Sequence, residues 1–166
     1  MVLTIFLAIV FCAAMALMLL SAVAFIQDEK FFSSAPKEAQ ALIRPREKEL
    51  FYGARTIGWT LFIISVLMVL GVGVIAIWDG FRSGFTFGQF FFRFVMIFTI
   101  YKICDMVFID NFLLLKFHFF QYYYPEAENV MVGKKYGFNI KSQLLKLFII
   151  FPAVSALAAW VCTMFK

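Results

Sequence analysis

The chain has 166 residues, 64% of them hydrophobic and 15% charged, with a mean hydropathy of +0.92 and a formal net charge of +5. That much apolar surface exceeds what a soluble domain of this length buries, so lipid has to cover the excess. The positive balance then reads as lysine and arginine that orient membrane helices, and no nucleic acid partner is expected.

A hydrocarbon core of about 30 Å takes roughly 20 apolar residues at 1.5 Å each. That ruler predicts an all-α fold, an integral membrane bundle of four transmembrane helices in a single domain. The spans fall at about 2–26, 57–78, 86–120 and 144–165, the third unusually long, with cytoplasmic connections at about 27–56 and 121–143.

The first stretch, Met1 to Ile26, rivals a signal peptide. It lacks a basic n-region, exceeds an ordinary apolar h-region of about 7–15 residues, and is followed by Asp28 and Glu29, so an uncleaved helix is predicted. Ala8, Cys12 and Ala16 recur every four residues along it, the spacing that lets helix backbones approach closely in lipid. In the first connection, Ser33 or Ser34 followed by Pro36 and Glu38 resembles a helix start. Ala35, Ala39, Leu42 and Ile43 then share one face of a short interfacial helix. Pro45 opens a further helix that runs through Phe51 and Tyr52 directly into the second span. Lys30 to Arg55 carries six bases against three acids, a solvated face and not a polybasic lipid hook. In the second span, Gly71 and Gly73 are expected to thin the helix for a neighbour.

The third span is phenylalanine-rich and is interrupted by Arg93, Lys102, Asp105, Asp110, Lys116 and His118. With no proline between Phe85 and Tyr124 and no glycine after Gly88, one continuous helix is predicted. About 36 helical residues extend roughly 54 Å, so this helix must tilt or project beyond the bilayer. In the last span Pro152 marks a kink, and Ser155 and Ala159 repeat the four-residue spacing. These small-residue stripes are expected to pack inside one protomer, the alternative being the seam of a homo-oligomer or a partner membrane protein.

Orientation follows from the bases. Lys30, Lys37, Arg44, Arg46, Lys48, Arg55, Lys116, Lys134, Lys135, Lys141 and Lys146 fall on one side, against Arg82, Arg93 and Lys166 on the other. The positive-inside rule places the long connections in the cytoplasm and both termini outside it, in a cytoplasmic (inner) membrane. Cys12, Cys104 and Cys162 lie far apart in apolar runs without a CxxC pair, and so read as small core residues and not as a disulfide or zinc framework.

Candidate chemistry concentrates in the third span, because a charge at mid-bilayer costs at least about 2.5–3.5 kcal/mol and needs a partner. At 100° per residue, Lys102, Asp105 and Lys116 fall within about 60° of one another, Gln89, Arg93, Asn111 and His118 gather on a roughly opposite face, and Asp110 lies between. Lys102 and Asp105, three apart, are expected to pair inside the bundle, unless they lie near the cytoplasmic end where lysine reaches water. Just beyond come Asp110, Asn111, Lys116, His118, Gln121, Tyr122, Tyr123, Tyr124, Pro125, Glu126 and Glu128. Such a set suits a polar pocket for a headgroup, an ion or acid–base chemistry at the interface; the tyrosines also suit an aromatic belt.

Motif tests are mostly negative. A single histidine excludes HExxH and multi-histidine zinc sites, and no Gly-rich phosphate loop occurs. Asp79 to Arg82 begins like a phosphatidyl-alcohol transferase signature, but the later aspartates of that signature are missing. No metal or cofactor is assigned. The stretch Asp105 to Glu126, DMVFIDNFLLLKFHFFQYYYPE, followed by YGFN at Tyr136 to Asn139, resembles an uncharacterised family of small bacterial polytopic membrane proteins. The resemblance covers about a third of the chain and implies a recurring unit but no activity.

The expected role is that of a non-catalytic polytopic membrane protein acting by assembly, or by binding a lipid, ion or partner at the cytoplasmic end of the third helix. Its candidate polar site is Lys102, Asp105, Asp110, Asn111, Lys116, His118, Tyr124 and Glu126, with membrane lipids as partners. The alternative is a small membrane-embedded enzyme acting on a lipidic substrate, with Asp105, Asp110, His118 or Glu126 supplying acid, base or ligand groups. A channel needs a polar path, and the other spans offer little beyond Thr4, Ser21, Thr60, Ser65, Ser155 and Thr163.

Overall fold

The computed structural model describes residues 1–32, 42, 49–125, 128 and 140–165, and every regular element among them is helical. The expected interfacial helix and its Ser33, Ser34, Pro36 and Glu38 start, the helix start at Pro45, and Glu126 lie outside the described residues. Helix α1 (Val2–Leu20) continues without a break into a π-helical segment, Ser21–Ile26. Helix α2 spans Ala54–Arg82, and α3 spans Phe87–Cys104 and continues as a π-helical segment, Asp105–Lys116. A short α4 (Phe119–Tyr123) follows. The last helix is built from α5 (Ile140–Leu145), a π-helical segment (Lys146–Ile150) and α6 (Phe151–Met164).

Three helices, Val2–Ile26, Ala54–Arg82 and Ser142–Met164, are long and apolar enough to cross a membrane. Their outward faces carry large apolar side chains such as Phe6, Ile9, Leu67, Val74, Trp78, Leu157 and Trp160, surface that water does not tolerate on this scale.

Two boundaries differ from the sequence expectation. The second span does not grow out of a helix through Phe51 and Tyr52. Gly53 takes a left-handed φ of 85° and Ala54 N–H donates to Phe51 O (3.0 Å), a turn from which α2 starts afresh. The third helix ends at Lys116, not near residue 120, because His118 adopts φ 50° and starts the separate α4. Neither glycine nor proline marks that break; a histidine in the left-handed region does the work.

The link between α2 and α3 is short and fully capped. Gly84 (φ 66°) sits just past α2, with Gly84 N–H donating to Phe81 O and Phe85 N–H to Gly80 O, which satisfies the last carbonyls in a Schellman motif. Thr86 opens α3, and its N–H is taken by Gln89 Oε1 (2.8 Å), the reach-back of a capping box.

The helices form a row more than a closed bundle. Helix α1 packs along both α2 and α3, α6 packs along α3, and α2 meets α3 mainly at their connection. The core between them is Leu7, Ala8, Val72, Ala76, Phe90, Phe94, Ile97, Ala159 and Cys162. Ala8, Ser155 and Ala159 are fully buried here, so both small-residue stripes contribute to packing inside the protomer. Gly71 and Gly73 do not, since a Cβ at either meets nothing within 4 Å. The glycines that permit close approach are Gly58, where a Cβ would come within 2.7 Å of Phe25 Cβ, and Gly80, where it would run into the buried ring of Phe90.

All three π-helical segments lie toward the end of the row that carries the long connections. There Ser21–Ile26 packs against α2 and α4, and Asp105–Lys116 continues the end of α3. Lys146–Ile150 ends two residues before Pro152. The wider turn meets the geometric demand of a proline, which has no N–H to give and whose ring crowds the carbonyl one turn back.

Candidate functional site

Lys102 comes from the last turn of α3 and is buried, its side chain 4% exposed. An unpaired ammonium in that setting costs several kcal/mol, and Asp105, one turn on, accepts a hydrogen bond from its Nζ. The three-residue spacing therefore pairs them as expected.

Asp110 reaches the same neighbourhood by a change of winding. Between Asp105 and Lys116 the backbone bonds run from i to i+5, as in Phe117 N–H to Phe112 O (3.0 Å). Residues five apart then lie on one face, and the rings of Phe112 and Phe117 meet there, tilted, with centroids 4.7 Å apart. Asp110 is five residues after Asp105, and the two carboxyl groups are close enough to interact electrostatically. At 100° per residue they pointed apart.

Asp110 also joins two helices. Gln143 Nε2, from α5, donates to its Oδ2 at 3.0 Å across a sequence separation of 33. The other amide atom, Gln143 Oε1, is buried and has no hydrogen-bond partner among the described residues. Lys146, three residues further along the same helix, is exposed and near enough to act electrostatically on Asp110. Tyr101 completes the surroundings, its ring edge-on to Phe11 (5.1 Å) and tilted against Phe151. The cluster thus holds two carboxyls, one buried ammonium, one exposed ammonium and an unused acceptor. A buried acceptor without a donor costs about 1–3 kcal/mol, so this arrangement has capacity for one more donor.

The remaining sequence candidates are placed elsewhere. Asn111, Lys116 and His118 are exposed, and Tyr124 is fully buried and stacks on Phe120 with ring centroids 5.1 Å apart. The described residues bring together Lys102, Asp105 and Asp110, and contain no group of three or more histidine, cysteine, aspartate or glutamate side chains fit to hold a metal ion.

A second charged cluster lies at the opposite end and was missed in the sequence. Arg93, 4% exposed, donates to Asp79 Oδ2 (2.7 Å) and to Ala76 O (2.9 Å), and its guanidinium lies 4.2 Å over the Phe85 ring. Its Nε alone has no acceptor among the described residues. Asp79 and Arg93 are 14 residues apart across the capped turn, beyond the reach of any helical-spacing rule. The available signal was their flanking of the Gly84 turn, which folds α2 back on α3. Gln143 was likewise missed, because a polar residue in a connection has no local mark that it will return to the third helix.

No protein-family model matches the chain, and no curated protein or solved structure matches it. Fold and composition identify it as an integral membrane protein of small polytopic type, with three candidate spans.

Proposed function

We propose that the chain is a non-catalytic, four-span membrane protein that acts by binding, at the cytoplasmic end of its third helix, a ligand that brings positive charge and hydrogen-bond donors. The fourth span is α3 with the first turns of its π-helical continuation. Eighteen residues of α3 extend about 27 Å, close to the hydrocarbon thickness. Its charges do not face lipid, since Arg93 and Lys102 are buried on aspartates. Both termini lie outside and the long connections inside, following the distribution of lysine and arginine.

The observation that carries the binding reading is Gln143 Oε1, buried and without a partner among the described residues, beside two carboxyls of which only Asp105 is hydrogen-bonded to the buried Lys102. Such a site favours a cationic donor over an anion or a purely apolar guest. The test is the thermal unfolding midpoint of the purified full chain with ethylammonium chloride, against tetramethylammonium chloride at equal ionic strength. Ethylammonium, with its three N–H donors, is expected to raise the midpoint, and Asp110→Asn or Gln143→Leu to abolish the rise. Equal responses to both salts sink the reading.

A further inference from the structure

We infer that the donor this site takes is the headgroup of an ethanolamine phospholipid, its ammonium on Asp110 and Gln143 and its phosphate on Lys146. The assignment rests on the binding reading above and names its ligand.

Depth is the first argument. Counting from Phe87 at 1.5 Å per residue, the hydrocarbon core of about 30 Å ends close to Val107, between Asp105 and Asp110. The last span begins at Ser142, so Gln143 enters at the same level. Asp110 and Gln143 therefore meet where acyl chains give way to glycerol and headgroups. Lys146 starts about one turn deeper, and an exposed lysine there extends its ammonium back toward the interface.

Charge order is the second. From the inside of the row outward come the paired Lys102 and Asp105, then Asp110 with its bond from Gln143, then the exposed Lys146 acting on Asp110. An incoming headgroup with a cation at its tip and an anion behind it matches this negative-then-positive sequence. A headgroup that carries only an anion meets Lys146 but leaves the carboxyls unanswered.

The unused acceptor decides between the two abundant zwitterions. Ethanolamine offers three N–H donors; choline offers none. Gln143 Oε1 is shielded from water and unpartnered, so choline leaves it unsatisfied while ethanolamine fills it. A site built around a donor rejects the analogue that lacks it more strongly than an apolar pocket rejects an extra methyl group.

The experiment is native mass spectrometry of the full chain, released from detergent, with dioleoyl-phosphatidylethanolamine and dioleoyl-phosphatidylcholine supplied in equal amounts. The expected preference for the ethanolamine lipid is about tenfold. Asp110→Asn and Gln143→Leu should each bring the ratio close to one. Lys146→Gln should weaken both lipids with the ratio kept. Using two variants on different helices guards against one that fails to fold. Soluble phosphoethanolamine is the third arm, and it should not displace the lipid at matched concentration. Equal binding of the two lipids, a preference that survives both variants, or displacement by soluble phosphoethanolamine overturns the headgroup assignment. Should ethylammonium still stabilise the chain through Asp110 while the lipids bind equally, the headgroup assignment falls and the broader binding reading stands.

Discussion

The third helix is charged at both ends, and the two ends treat their charge differently. Near the short turn, the Arg93 guanidinium meets one carboxylate, one backbone carbonyl and an aromatic face, so the cluster around the α2–α3 hairpin is neutral, with Nε alone left without an acceptor among the described residues. Near the long connections, Lys102 serves one of two carboxyls while Gln143 brings an amide with only one side used. A buried charge is thus no sign of function by itself. What separates a fastener from a site here is the balance of buried charge: one carboxylate answers Arg93, whereas two carboxyls stand near the buried Lys102.

The sharpest way to break the comparison is at the closed end. Arg93→Leu leaves Asp79 without its cation, and is expected to cost about 3–5 kcal/mol of unfolding free energy in detergent titrations of the full chain. The double substitution Arg93→Leu with Asp79→Leu should recover most of that loss, because no charge is left behind. A double variant as unstable as the single one would show that the pair does more than neutralise itself. Next in size is Gly80→Ala, expected to destabilise by about 1–3 kcal/mol in the same titration, since its Cβ has to displace the fully buried Phe90 ring.

At the open end the expected effects are smaller. Asp110→Asn keeps a hydrogen-bonding group opposite Gln143 and should change stability by only about 1 kcal/mol, while ligand response is lost. A loss as large as that of Arg93→Leu would make the open end a fastener too. The smallest change is Gly71→Ala, where a Cβ meets nothing within 4 Å; thermal unfolding should place it within about 0.5 kcal/mol of the parent.

Much of the architecture was legible in the sequence, because span length is a matter of counting apolar residues against a fixed thickness. The first, second and last spans emerged within a few residues of expectation, and the Lys102–Asp105 pair followed from helical spacing. The misses have physical causes. Asp110 was placed between two faces because a uniform 100° per residue was applied to a segment that winds wider. The break at His118 carries no glycine or proline, and the left-handed Gln27 after the first span is equally unmarked. Gln143 and the Asp79–Arg93 pair are contacts between helices, and spacing along one helix says nothing about which residue the neighbouring helix presents. Gly71 and Gly73 were chosen over Gly58 and Gly80 because a glycine's value depends on what faces it.

The order of the row also bears on how the protein is made. Helix α1, made before the other helices described, is the element on which both α2 and α3 come to rest, and among the described residues the last helix docks mainly on α3. Each helix therefore finds its lateral neighbour already made, and none has to wedge between two that are already joined. Synthesis and assembly can proceed in the same direction, with the Asp110–Gln143 bond forming as the last helix docks on α3.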